Sequence, residues 1–242
     1  MECESGMNLQ QLYFRGDEVW DRRIKEASNF SDASHIHSAT FSTAQLVLSE
    51  LWPIDLDGHG MLSVCLNIEQ QMQGQLGYNC DDHSKVSFFN LTSEVSQALY
   101  NFKRFDIEFQ TYVASLLLDI LVEIDGRYEG RNHLAQKRGE ILARLAGCGY
   151  QKELLLGDFT NKDRKYKAMV YLCLNQRIGE AIRTDLLERS TGAVVASKWM
   201  TPIPGYVLRG RSIQQAYWEG DRFNLVMWKR GPHLTAHIDI PK

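Results

Sequence analysis

Zinc-binding residue types recur between residues 35 and 83 of the chain. Cys80 and His83 have two residues between them, which is the spacing of one ligand pair in a tetrahedral zinc site. The further candidates lack regular spacing: His35, His37, His59 and Cys65. Because a four-ligand site needs a second pair, the sequence favours loop histidines and a buried thiol over a metal centre. We therefore expect no metal and no other cofactor.

Arg127 and His133 form a second candidate pair, with five residues between them. This spacing resembles that of a class of helical ribonucleases, in which the pair lies on a helix and acts on the phosphodiester. The resemblance implies a nucleic-acid-acting enzyme with Arg127 and His133 as its catalytic residues. It covers these two residues alone, and the chain contains no Gly-x-Ser-x-Gly turn and no Gly-rich phosphate loop. Catalysis is therefore the alternative hypothesis, and a binding function is favoured.

Basic side chains in the second half of the chain could neutralise phosphates. They fall between residues 127 and 167: Arg127, Arg131, Lys137, Arg138, Arg144, Lys162, Arg164, Lys165 and Lys167. Two aromatic residues, Tyr128 and Tyr166, lie among them. The whole chain has a net charge of −3, whereas a nucleic-acid-binding domain usually has a marked basic excess. A solvated surface is thus favoured over nucleic-acid binding.

Charge divides the chain into two unlike parts. Residues 1–90 contain 13 acidic and 5 basic residues, a net charge of −8, and residues 91–242 have a net charge of +5. Between Lys25 and Lys85 there is no Lys or Arg, and we call residues 26–84 the acidic interval. It contains eight carboxylates: Glu26, Asp32, Glu50, Asp55, Asp57, Glu69, Asp81 and Asp82. These carboxylates cannot be neutralised within the interval.

An acidic surface steers a basic protein into a complex and excludes wrong partners. The residues that we expect to contact such a partner are Asp55, Asp57, Glu69, Asp81 and Asp82. A biological setting that fits is an immunity-type inhibitor, which masks the basic active site of a nuclease toxin. A metal- or small-molecule-binding domain built on the histidines is the third hypothesis, after the ribonuclease-like enzyme.

Length and composition indicate a folded protein of the cytoplasm. The chain has 242 residues, of which 44% are hydrophobic and 24% are charged, enough to bury a substantial core. Its five cysteines are scattered and odd in number, which favours reduced thiols. The first residues are acidic and lack a signal-peptide pattern. The longest apolar run, residues 112–122, is interrupted by Asp119 and is too short to span a bilayer.

Residues 91–125 must be the central element, because their apolar side chains recur at steps of three or four. They predict one long helix that buries Val95, Leu99, Phe102, Phe105, Phe109, Val113, Leu116, Ile120 and Ile124. Thr92 or Ser93 is expected to cap its start, and Gly126 to end it in a left-handed conformation. A second helix, residues 133–145, is expected to fold back on it as a helical hairpin.

Strands are predicted on both sides of this hairpin. They cover residues 12–14, 61–68, 86–89, 168–174 and 193–200, with a C-terminal β-hairpin formed by residues 222–229 and 234–240. Residues 18–27 are predicted as helix, 30–43 and 79–85 as loops, and 178–188 as either helix or strand. The predicted fold is α+β, with a mixed or antiparallel sheet that could join strands from both sides. One domain is expected, alternatively with an acidic lobe (1–90) and a second lobe (91–242).

Overall fold

The computed structural model describes residues 9, 11–15, 31–51, 56, 59–66, 76–81, 83, 86–102, 104, 106–127, 133–176, 179–201, 213–227 and 234–241. Within these residues the chain forms four helices and eleven strands in three sheets, which confirms the α+β class. It forms two compact units, Met1–Gln151 and Lys152–Lys242. The single domain and its charge-based lobes stay predictions. The helix predicted for residues 18–27 lies outside the described residues.

The first unit contains a four-stranded mixed sheet and the helices. Its strands are β1 (Gln11–Arg15), β2 (Met61–Cys65), β3 (Gly77–Asp81) and β4 (Val86–Asn90), in the order β1-β2-β4-β3. Strands β1, β2 and β4 are parallel, and β3 runs antiparallel to β4. The helices are α1 (Ser31–Glu50), α2 (Ser93–Asn101), α3 (Ile107–Asp125) and α4 (His133–Gly147). None of the described helices is both long and apolar enough to cross a membrane.

The prediction of one continuous helix over residues 91–125 is wrong. Helix α2 ends at Asn101, and α3 begins after Asp106, whose carboxylate accepts hydrogen bonds from the backbone N–H groups of Glu108 (3.1 Å) and Phe109 (3.5 Å). The backbone of Phe102 is extended, with ψ 125°, which ends α2. The centroids of the Phe102 and Phe109 rings lie 5.3 Å apart in an edge-to-face arrangement. The chain therefore stops the first helix and starts a second one at the Asp106 N-cap, with the Phe102 ring packed against Phe109.

The other expectations for this region had mixed outcomes. Thr92 caps α2, as predicted, by accepting a hydrogen bond from the Val95 N–H. Phe109 is fully buried, but Leu116 is only half-buried because it lies at the border of the apolar face. Gly126 has φ −68°, in the right-handed region, because its N–H still bonds helical carbonyls. The helical hairpin is present, since Arg138 of α4 bonds Asp119 of α3.

Two segments predicted as loops are regular elements. Helix α1 covers most of residues 30–43 and lies close to β1 and α3, and its Thr40, Ser42 and Thr43 are buried. Small polar residues gave this stretch a loop-like composition, although they suit a helix that packs tightly. Strand β3 covers the start of residues 79–85, and its polar side chains fit an edge strand that is half exposed.

The second unit is entirely of β-structure in its described part. Strands β5 (Lys152–Thr160), β6 (Tyr166–Leu174), β7 (Glu180–Glu188) and β8 (Val194–Trp199) form one antiparallel sheet in chain order. Strands β9 (Ile213–Glu219), β10 (Arg222–Met227) and β11 (Leu234–Asp239) form another, which confirms the C-terminal hairpin. The two sheets pack through Phe159 and Phe223, whose rings are 5.5 Å apart. The strands before and after the helices therefore form separate sheets.

Candidate functional site

The candidate zinc ligands have different surroundings. His59 is buried directly before β2, with its Nδ1 atom 2.9 Å from Ser87 Oγ. Cys80, in β3, is an exposed free thiol, and His83 is exposed in the turn that follows. Cys65 is a buried free thiol in β2. No three His, Cys, Asp or Glu side chains of the described chain come together as a metal site, and the side chains of His35 and His37 lie outside it.

One chain of contacts joins members of both candidate sets. The Arg127 guanidinium lies over the Tyr78 ring, 5.6 Å from its centroid. The Tyr78 hydroxyl is 3.0 Å from Ser87 Oγ, which is 2.9 Å from His59 Nδ1. Strand β4 places Ser87 between the two, because β3 lies on one side of β4 and β2, which His59 precedes, lies on the other. The structure thus connects Arg127 with His59 through a hydroxyl relay.

This relay is not arranged for catalysis. A serine bonded to a histidine can be activated as a nucleophile, but its oxygen must also reach a substrate. Ser87 has 0% exposure and His59 has 1%, so both are sealed inside the unit. The pair also lies at the amino ends of the parallel strands, whereas ligands of such sheets bind at the carboxyl ends. The relay therefore satisfies buried polar groups and fixes β4 between its neighbours.

The two catalytic candidates of the ribonuclease hypothesis do not lie on one helix. Arg127 lies beyond the end of α3, and its Nη2 atom is 2.7 Å from Glu123 Oε1. His133 is exposed at the first position of α4. The guanidinium is thus paired with a carboxylate and stacked on a tyrosine. The helical arrangement that the spacing implied is absent from the described residues around this pair.

The predicted partner-binding carboxylates lie largely outside the described residues. Asp55, Asp57, Glu69 and Asp82 are not described, and Asp81 is placed only by its backbone, at the end of β3. Of the acidic interval, Glu50 is described with its partner: its Oε2 atom lies 2.8 Å from Arg144 Nε. A basic residue of the second part of the chain therefore neutralises one carboxylate of the interval.

The densest polar cluster of the described chain surrounds Arg183 and was not predicted. Glu153 of β5 accepts two hydrogen bonds from its guanidinium, at 2.8 and 3.0 Å. Asp185, two residues along β7, accepts two more, at 3.1 and 3.0 Å. Gln176 accepts a fifth at 3.1 Å. All five N–H donors of Arg183 are therefore used.

Aromatic rings and charge complete this cluster. The guanidinium carbon lies 5.3 Å from the centre of the Tyr171 ring and 6.0 Å from that of Trp199. The hydrogen bonds that Arg183 donates to Glu153 raise the pKa of Arg183 and lower the pKa of Glu153. Burial raises the pKa of the Cys173 thiol, on the neighbouring strand, to about 11. The ionised pair is thus strongly favoured, while the thiol stays protonated.

Because its donors and rings are all engaged, the Arg183 cluster joins β5, β6, β7 and β8 rather than presenting a free group. A signal for it exists in the sequence: the charged residues Arg183 and Asp185 alternate with the uncharged Ile182, Thr184 and Leu186, a period of two that indicates a strand. The partner Glu153 lies 30 residues away and is not recoverable from local spacing.

The chain was compared with known proteins at three levels. No protein-family model, no curated protein and no solved structure matches it.

Proposed function

We propose that this protein binds a basic protein partner through its acidic N-terminal part. The observation that carries the proposal is the acidic interval, in which eight carboxylates occur without a single Lys or Arg. Such an excess repels itself unless cations from elsewhere approach it, and a basic partner supplies them.

The ion pairs of the described residues support this proposal. Most join two side chains of residues 91–242: Glu123 with Arg127, Asp119 with Arg138, Asp158 with Lys167, Glu153 with Arg183, and Asp239 with Arg222. Arg144 is shared between Glu140 and Glu50. These basic side chains are therefore matched largely by carboxylates of their own part of the chain, and among them only Arg144 reaches a carboxylate of the acidic interval.

The finer form of the proposal is an immunity-type inhibitor. A nuclease must bind phosphates, so its active site is basic, and an acidic protein that covers it both binds and inhibits. The contact residues in this form are Asp55, Asp57, Glu69, Asp81 and Asp82.

The test uses capture followed by charge reversal. The full chain is immobilised, a protein is captured from a lysate of the native host at low salt, and its affinity is then measured with purified components. Two double variants reverse charge in the interval: Asp55→Lys with Asp57→Lys, and Asp81→Lys with Asp82→Lys. The matched control, Glu219→Lys with Asp221→Lys, makes the same change of charge at two exposed residues of the second unit.

We expect the captured protein to be basic and each interval variant to bind it at least tenfold more weakly, while the control variant binds like the parent. Equal binding of all three variants would show that the acidic interval does not contact the partner. For the inhibitor form, the captured protein must cleave nucleic acid and lose that activity when the chain is added.

A further inference from the structure

Two neighbouring turns of the second unit carry a group of exposed cations. The β5–β6 turn contains Lys162, Arg164 and Lys165, and the β7–β8 turn contains Arg189. Hydrogen bonds hold the turns together, because Arg189 donates from its backbone N–H to Lys165 O (2.8 Å) and from Nη1 to Arg164 O (3.1 Å). We call these four residues the cationic turns.

These cations form no ion pair within the described part of the chain. Arg127, Arg138, Arg183 and Arg222 each pair with a carboxylate, but no such pair forms at the cationic turns. The two nearest carboxylates in sequence keep their charge but bind neutral donors inside the turns, where positive groups outnumber negative ones by four to two. Asp163 accepts from the Lys165 N–H at 3.3 Å, and Glu188 accepts from the Thr191 hydroxyl at 2.8 Å. Four positive groups are thus held side by side at the surface.

Arg164 occupies a position that local folding would give to glycine. Its φ is 61°, in the left-handed region, where a side chain costs roughly 1 kcal/mol or more. The β7–β8 and β9–β10 turns place glycines at the equivalent conformation, Gly192 with φ 72° and Gly220 with φ 57°. Of these three turns, only the β5–β6 turn has a positively charged residue at the left-handed position. A residue that opposes local preference indicates a use other than folding.

We propose that the cationic turns bind the phosphate backbone of a nucleic acid. Arginine, lysine and serine are among the residues that contact phosphates in nucleic-acid complexes, and exposed Ser190 lies directly beside Arg189. The exposed side chains of residues 162–165 and 189–191 are all polar or charged, which suits a phosphate backbone better than the more apolar centre of a typical protein interface. The net charge of −3 weakens long-range attraction to a nucleic acid, but charges are screened over about 8 Å at physiological salt, so the local charge of the turns has the larger effect on binding there.

The test measures binding of the full chain to fluorescent 20-mers of single-stranded DNA, duplex DNA and single-stranded RNA, by anisotropy at several salt concentrations. The variant Arg164→Gly with Arg189→Gln removes two cations while giving the turn its preferred residue. The control, Arg104→Gln with Lys137→Gln, removes two exposed cations from the first unit. A second variant, Lys162→Gln with Lys165→Gln, changes no left-handed residue. Polyglutamate serves as a competitor.

We expect the parent to bind at least one 20-mer, with affinity that falls as salt rises. Both turn variants should bind at least tenfold more weakly, and the slope of log affinity against log salt should decrease by about two for duplex DNA. The control should bind like the parent, and Arg164→Gly should leave the melting temperature unchanged or raise it. Three results would each overturn the proposal. The parent could bind no 20-mer at low salt, the control could lose as much affinity as the turn variants, or polyglutamate could displace the 20-mer at equal charge concentration.

Discussion

Thiol reactivity is decided residue by residue. Cys80 and Cys148 are exposed, whereas Cys65 and Cys173 are buried, and all four are free. Only the thiolate reacts with alkylating reagents, so a pKa of about 11 leaves roughly one Cys173 thiol in a thousand reactive at pH 8.

We therefore predict that iodoacetamide modifies Cys80 and Cys148 in the folded protein within minutes, and Cys65 and Cys173 only after unfolding. Peptide mass spectrometry of a Cys3→Ser variant measures this without contribution from the first cysteine. Rapid labelling of Cys173 in native buffer would show that the β-sheet around it opens.

The Glu153–Arg183 pair makes stability depend on pH. The folded protein lowers the pKa of Glu153 below its ordinary value of 4.5, chiefly through the hydrogen bonds from Arg183. A lowered folded-state pKa contributes stability that is present above pH 4.5 and is lost as the pH falls below it. We predict that Glu153→Gln lowers the urea midpoint at pH 7 and reduces the further loss between pH 5 and about pH 3.

Urea unfolding followed by tryptophan fluorescence provides the measurement, with the exposed Glu219→Gln as the matched control. If Glu153→Gln retains the parent's full acid dependence, the pair contributes nothing to that dependence.

At the scale of elements, the caps determine where helices begin. Asp106 starts α3 by bonding two backbone N–H groups. Replacing an N-cap aspartate by alanine costs about 1 kcal/mol, so Asp106→Ala should lower the free energy of unfolding by that amount. Asp106→Asn keeps the acceptor and should retain most of it, as urea denaturation would measure. Equal losses in both variants would assign the effect to charge rather than to capping.

Phe109 and Leu116 lie on the same helix but differ in burial. Phe109 has 0% exposure and contacts the Phe102 ring, while Leu116 is half-buried. Phe109→Ala should therefore cost about 3 to 5 kcal/mol, because a large cavity remains, and Leu116→Ala should cost clearly less. Thermal and urea melts of the two variants are compared directly. Equal melting of both would contradict the packing of α3.

Helices and strands whose apolar residues recur regularly or form a continuous run could be predicted from sequence. Elements without such a pattern could not. Strand β6 and the C-terminal hairpin combine buried residues such as Val170 and Phe223 with clear turns. Strands β3, β5 and β9 were missed because they are edge strands whose side chains are mostly half exposed or exposed. The break before Asp106 was also missed, because the apolar period continues through it, although Asp106 is a residue type that can cap a new helix.

The Arg183 cluster and the Ser87 relay depend on pairing between strands, which local sequence does not contain. Ser87 bonds His59, 28 residues before it, and Arg183 bonds Glu153, 30 residues before it. Residue type and spacing could therefore suggest His59 and Arg127, but not the hydroxyl and the ring that connect them.

At the scale of the whole molecule, charge is distributed unevenly along the chain. The acidic interval contains no cation, and the cationic turns lie far from it in sequence, at residues 162–189. The two proposals assign each segment a partner of opposite charge, and long-range fields of this kind act mainly on the rate of encounter.

We accordingly predict that association of the acidic part with its basic protein partner slows steeply as salt rises through about 0.15 M, where screening acts over roughly 8 Å. The dissociation rate should change far less, because it reports close contacts rather than steering. Stopped-flow or surface-binding kinetics at several salt concentrations measure both rates. The variant with Asp55, Asp57, Asp81 and Asp82 all changed to Lys should associate slowly at every salt concentration while keeping the parent's melting temperature. An association rate independent of both salt and these four reversals would exclude electrostatic docking by the acidic interval.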